Sequence, residues 1–175
     1  MIKAVIFDMD GLIIDSEQLQ SKAFETVIKR YDKKPIVSKE GIVHTTGITE
    51  KDNWLLLRKK YKINENVINL MKKREASYTN LLKNGLKLMP GFLKFIRDIK
   101  KQKIMKAIAS SSGKDYIKLV MSSLDIKKYF DVIVSGQNIR RGKPYPDIFL
   151  KTAKQLRIKH KYCCVLEDSE NGVKE

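Results

Sequence analysis

Two aspartates stand two residues apart in Phe7-Asp-Met-Asp-Gly11, directly after the apolar run that ends at Phe7. Further along the chain, Ser110-Ser-Ser-Gly113 and Glu167-Asp168-Ser169 also follow apolar runs, and Gly142-Lys143-Pro144 adds a lysine. These residue types suit phosphoryl transfer onto an aspartate. A phosphate monoester carries about two negative charges toward Asp8, and each unit pair at about 4 Å costs on the order of 4 kcal/mol at an effective dielectric near 20. One Mg²⁺ held by oxygen ligands, together with the Lys143 ammonium, would cancel that repulsion. Asp10, two residues after Asp8, can face the same side and give a proton to the leaving oxygen, then take one from water.

For these groups to meet, the chain must bring distant segments to one place. Four apolar runs have strand character: Ile2 to Phe7, Ile104 to Ala109, Phe130 to Val134 and Tyr162 to Leu166. Between them, apolar residues recur at helical spacing, as in Phe92, Phe95, Ile96 and Ile99, and in Ile148, Phe149, Thr152 and Leu156. From Phe92 onward helix and strand alternate, which predicts an α/β fold: a Rossmann-like parallel sheet with helices on both faces. In such a sheet, ligands bind outside the carboxyl ends of the strands, and the polar clusters lie at those ends.

Residues 16–84 break the alternation. They hold helical patterns, such as Leu19, Ala23, Phe24, Val27 and Ile28, and no convincing buried strand. The spacing predicts an inserted all-helical unit, opened by the N-cap signal Asp15-Ser16 and closed by the stop signal Asn84-Gly85. The core is then residues 1–15 and 85–175. The stripe Trp54 to Leu57 is expected in the core of the insertion, and His44 and His160 as packing or surface residues.

The chain has 175 residues, 36 Lys+Arg against 20 Asp+Glu, and a net charge of +16. Such charge invites nucleic acid, but the lysines are scattered along almost every segment instead of forming one stripe, which argues against that partner. The composition excludes disordered and collagen-like classes. Cys163 and Cys164 are adjacent, so neither a disulfide framework nor a zinc site is expected, and a reducing, cytoplasmic location follows. No stretch of about 18 apolar residues occurs, so no membrane span is expected. Gly136 to Lys143 lacks the spacing of a P-loop and is followed by Pro144, which sets an NTPase aside.

Phe7-Asp-Met-Asp-Gly-Leu-Ile-Ile-Asp-Ser-Glu17 resembles the first motif of the haloacid dehalogenase superfamily, in the branch of β-phosphoglucomutase and small-molecule phosphatases. Ala109 to Ser112 resembles the second motif, Gly142 to Phe149 the third, and Leu166 to Val173 the fourth. All four come in the family order. The resemblance implies Asp8 as nucleophile, forming an aspartyl-phosphate, and Asp10 as general acid and base whose backbone carbonyl also meets the metal. It implies that Ser110 bonds a phosphoryl oxygen, that Lys143 bridges Asp8 and the phosphoryl group, and that Glu167 and Asp168 hold Mg²⁺ with Asp8 and Asp10. Gly11 and Ser111 would contact substrate. The insertion matches the family's cap, whose specificity loop falls at Thr46, Gly47, Ile48, Thr49 and Glu50.

The implied activity is a Mg²⁺-dependent phosphatase of small phosphorylated metabolites, sugar phosphates among them. A phosphosugar mutase is the alternative, weakened because Gln20 stands where many relatives, the mutases included, carry a histidine. A catalytically weak basic binding protein is the rival from another class. Relatives continue past the fourth motif with a further strand and helix. The resemblance therefore predicts a core short of those elements: either the chain is a fragment of a longer protein, or its exposed sheet edge lowers stability or promotes self-association.

Overall fold

The computed structural model describes residues 1–39, 41, 43–45 and 50–169, with the backbone alone at residue 84. The chain divides into two compact units, residues 1–15 with 87–175, and residues 16–86.

The first unit is α/β. Its strands are β1 (Ala4–Phe7), β2 (Met105–Ser110), β3 (Val132–Ser135) and β4 (Cys163–Leu166). They form one parallel sheet in the order β3-β2-β1-β4. Every residue of β1 is buried, as expected for a central strand covered on both faces. Side chains alternate across the sheet. On one face Ala4 and Ile6 join Ala107, Ala109 and Val134 against Ile148, Phe149 and Ala153 of a helix at Asp147–Gln155. On the other, the Phe7 ring meets Phe92 and Phe95 edge-on at 6.2 and 6.1 Å, and Phe130 at 5.8 Å. Phe92 and Phe95 belong to the helix Phe92–Lys101, whose residues Phe92, Ile96 and Ile99 make its buried stripe. The strands begin up to two residues later than the apolar runs suggest, because those first residues lie outside the ladder.

Register fixes where the strands end. Phe7 lies opposite Ile108 on one side and Leu166 on the other, and Ser110 lies opposite Ser135. Asp8, Ser110 and Glu167 therefore emerge at the same, carboxyl, end of the sheet. Beyond the first motif, residues 13–15 run beside 87–89: Met89 N–H donates to the Ile13 carbonyl at 2.9 Å, and Asp15 N–H to that of Lys87 at 3.2 Å.

Among the described residues, the second unit contains three helices, Glu17–Lys29, Glu50–Tyr61 and Val67–Gly85. Their core gathers Phe24, Val27, Ile28, Trp54, Leu57, Tyr61 and Leu70, with the Trp54 and Phe24 rings 4.9 Å apart. Leu55 and Leu56 are exposed, so only half of the Trp54 to Leu57 stripe is core, as helical spacing requires. His44 is a packing residue, stacked on Phe24 at 5.0 Å with its Nε2 at 2.8 Å from Glu17, and His160 is on the surface. The helix boundaries fall where Asp15-Ser16 and Asn84-Gly85 place them, at Glu17 and Gly85, although Ser16 is helical in conformation and makes no side-chain capping bond, and the chain leaves Gly85 through an extended Leu86. At Asn66 capping does occur, its side chain accepting from Ile68 N–H at 2.8 Å.

Among the described residues no helix is long and apolar enough to cross a membrane.

Candidate active site

Asp8 is the first residue past β1, and its own N–H donates to the Leu166 carbonyl at 2.9 Å, which binds the ends of β1 and β4 together. Its carboxylate is buried. Lys143, 135 residues later in sequence, places Nζ at 2.6 Å from Asp8 Oδ1 and also contacts Glu167 Oε2. The ammonium is held by a third neighbour, the ring of Phe149, whose centroid lies 5.1 Å away. Phe149 is set by the helix Asp147–Gln155, so the helix that packs on the sheet also fixes the lysine.

Burial raises the Asp8 carboxyl from its ordinary 3.8 to about 6, with Glu167 and Asp10 adding to the rise and Lys143 opposing it. Burial works against the Lys143 ammonium too, but the Asp8 and Glu167 carboxylates outweigh it and hold its pKa above the usual lysine value. Asp168, raised chiefly by burial and further by Glu167 and Asp10, also binds protons more readily than an open carboxyl.

The carboxylate oxygens of Asp8, Glu167 and Asp168 lie within 4.8 Å of one another. Three oxygen donors, two of them with proton affinity raised chiefly by burial and further by neighbouring carboxylates, fit a hard divalent cation such as Mg²⁺. Gly11 makes room for this cluster: its φ is +82°, and a Cβ there would stand 2.0 Å from Asp168 Oδ2. Glu167 has other obligations, since Oε1 accepts from Ser169 Oγ at 2.6 Å and Oε2 meets Lys143.

Asp10 faces a different set of partners. Its Oδ1 accepts from the Tyr116 hydroxyl at 2.7 Å, and its Oδ2 from Ser112 Oγ at 3.0 Å. Its carboxylate is not part of the three-oxygen group, although its backbone lies between Asp8 and Gly11. Ser110 is buried at the end of β2, where its Oγ accepts from Ser112 N–H at 3.1 Å. Ser111 is exposed. Of the cap positions expected to read substrate, Thr46, Gly47, Ile48 and Thr49 lie outside the described residues. Glu50 opens its helix with Oε2 at 3.8 Å from Arg74 Nη1. Ser112 and Ser169 lie within the polar clusters that follow the apolar runs, whereas Tyr116, in the first turn of the helix Lys114–Ser123, carries no such mark in the sequence.

A family model for haloacid dehalogenase-like hydrolases matches residues 5–175. The chain belongs to this family. Among relatives, it is 30% identical over 172 residues to a phosphorylated carbohydrates phosphatase of Thermotoga maritima, covering 98% of this chain and 79% of that protein. It is 29% identical over 180 residues to hexitol phosphatase B of Escherichia coli, covering 98% and 78%. The β-phosphoglucomutase structure from Clostridium difficile superposes with a TM-score of 0.72 at 28% identity, covering 99% of this chain and 79% of that one. As a haloacid dehalogenase-like hydrolase the chain is an enzyme, which removes the rival of a basic binding protein.

Proposed function

We propose that this hydrolase is a Mg²⁺-dependent phosphatase of small phosphorylated metabolites, sugar phosphates among them, working through an aspartyl-phosphate at Asp8. The observation that carries the reading is the Lys143 ammonium lodged against the Asp8 carboxylate, beside two further carboxylates, at the end of a parallel sheet. The phosphatases of phosphorylated carbohydrates and hexitols among its relatives support the substrate class.

An Asp8 oxygen attacks phosphorus while the bond from phosphorus to the ester oxygen breaks. Asp10 gives its proton to that oxygen, so the alcohol leaves neutral. Water then attacks the phosphorus and yields its proton to Asp10 as the Asp8–phosphorus bond breaks, which returns Asp8 as a carboxylate and Asp10 as an acid. Lys143 balances charge on the attacking carboxylate and the phosphoryl oxygens, and Ser110 is placed to bond one of those oxygens. Mg²⁺, held by Asp8, Asp168 and Glu167 with the Asp10 backbone carbonyl, would supply the remaining positive charge. Residues 16–86 take the role of the family's cap, which selects the substrate. A cytoplasmic location accompanies this reading, since small phosphorylated metabolites are the substrates it supposes.

A phosphosugar mutase is the second reading, favoured by the likeness to β-phosphoglucomutase. Against it stands Gln20, whose Oε1 accepts from Arg74 at 3.1 Å and which offers no imidazole. Phosphate release from a panel of phosphomonoesters, with Mg²⁺ and with EDTA, tests both. Release that needs Mg²⁺ and vanishes in Asp8→Asn is the expected result. Undiminished release by that variant refutes the nucleophile, and conversion of a hexose 1-phosphate to the 6-phosphate faster than phosphate release would favour the mutase.

A further inference from the structure

Both oxygens of Asp10 meet hydroxyls, Tyr116 on Oδ1 at 2.7 Å and Ser112 on Oδ2 at 3.0 Å. The two donors are themselves fixed. Ser112 N–H donates to Ser110 Oγ, and the Ser112 carbonyl accepts from Ser135 Oγ at 2.6 Å, so this residue is tied to the ends of β2 and β3. Behind it Gly136 allows close packing, since a Cβ there would lie 2.9 Å from the Ser111 Cα. Tyr116 stands in the first turn of the helix Lys114–Ser123, whose Ile117, Val120 and Met121 are buried.

From this geometry we infer that Tyr116 is a positioning residue for the proton transfers of Asp10, with Ser112 as its counterpart. The inference rests on the reading of Asp10 as general acid and base. A hydroxyl suits this place because it donates to a carboxylate and accepts from a protonated carboxyl, so the same pair can hold Asp10 before and after it gives up its proton. A backbone N–H or an ammonium in its place could only donate. Each carboxylate oxygen has a second lone-pair direction, which leaves Asp10 able to reach the leaving oxygen while still held. Fixing that reach is where a general acid gains much of its effect.

The test uses the leaving group. p-Nitrophenolate departs without a proton, whereas an alkoxide needs the one on Asp10. For Tyr116→Phe, kcat/KM on the best alkyl phosphate of the panel is expected to fall about tenfold or more, and on p-nitrophenyl phosphate less than about twofold. Ser112→Ala should discriminate in the same direction. In an Asp10→Asn background Tyr116→Phe should cost nothing further, because the group it positions is already gone. Equal losses on both esters, no loss on either, or a loss that persists with Asn at position 10 overturn the role of Tyr116. If these occur while Asp8→Asn is inactive, the phosphatase reading stands and only the positioning role falls. If Asp8→Asn is fully active, the reading fails and the role of Tyr116 with it.

Discussion

Replacing Lys143 by methionine keeps the apolar stem and removes the charge that two buried carboxylates share. The side chains of Lys143, Asp8 and Glu167 are 10%, 10% and 4% exposed, so little solvent screening intervenes. At the observed 2.6 Å, the attraction to Asp8 alone is about 6 kcal/mol for an effective dielectric near 20. Removing the ammonium also recovers its own desolvation cost, which is several kcal/mol, so the net loss should be about 3–5 kcal/mol, as for a buried pair broken on one side. With a urea slope of about 1–3 kcal/mol per molar, the unfolding midpoint in EDTA at about pH 7.5 should fall by roughly 2 M. The sign of the pH dependence follows from Asp8. Its folded carboxyl already binds protons more readily than the unfolded one, with a pKa of about 6 against 3.8, and loss of Lys143 raises it further. Protonation therefore begins to relieve the variant at a higher pH than the unaltered enzyme, so the gap should narrow as pH falls toward about 6 and change little below it, where Asp8 is protonated in both. Phosphate release should drop by about a hundredfold or more, since a preorganised charge at the reacting centre is gone. A variant with an unchanged midpoint, or a gap that stays constant on acidification, would refute the reasoning.

Gly11→Ala should weaken activation by Mg²⁺ in a metal titration of phosphate release and cost about 1–3 kcal/mol in urea unfolding, because the new Cβ enters a left-handed backbone against Asp168. Glu65 should titrate at about 2 by carboxyl NMR, held down by hydrogen bonds from the Asn69 side chain, the Lys73 ammonium and the Asn66 N–H. The stability it lends is present above its ordinary 4.5 and lost as pH falls toward 2, and Lys73→Met should move its midpoint back toward 4.5. Trp54→Ala should destabilise the helical unit by about 3–5 kcal/mol, measured by urea unfolding, since the ring is fully buried against Phe24.

The alternation of apolar runs and helical stripes after Phe92 was enough to read a parallel α/β sheet, because strand and helix impose different periods on burial. Four ordered polar motifs were enough to read the family, three of them directly after a strand and the third in the loop between β3 and the helix Asp147–Gln155. The resemblance implied that Lys143 meets Asp8, but composition and periodicity did not contain the partner of each group. Glu167 and Lys143 are 24 residues apart and Asp8 and Lys143 are 135 apart; their contacts arise only when strand register aligns the sheet ends and Phe149 fixes the lysine. The engagement of Asp10 by Tyr116 and Ser112 is likewise tertiary, because a tyrosine in a helix carries no mark of the carboxylate opposite it. Periodicity is a property of neighbours along the chain and so is written in the sequence. Which distant atoms come within hydrogen-bonding distance depends on how the sheet and helices pack, and the structure alone decides it.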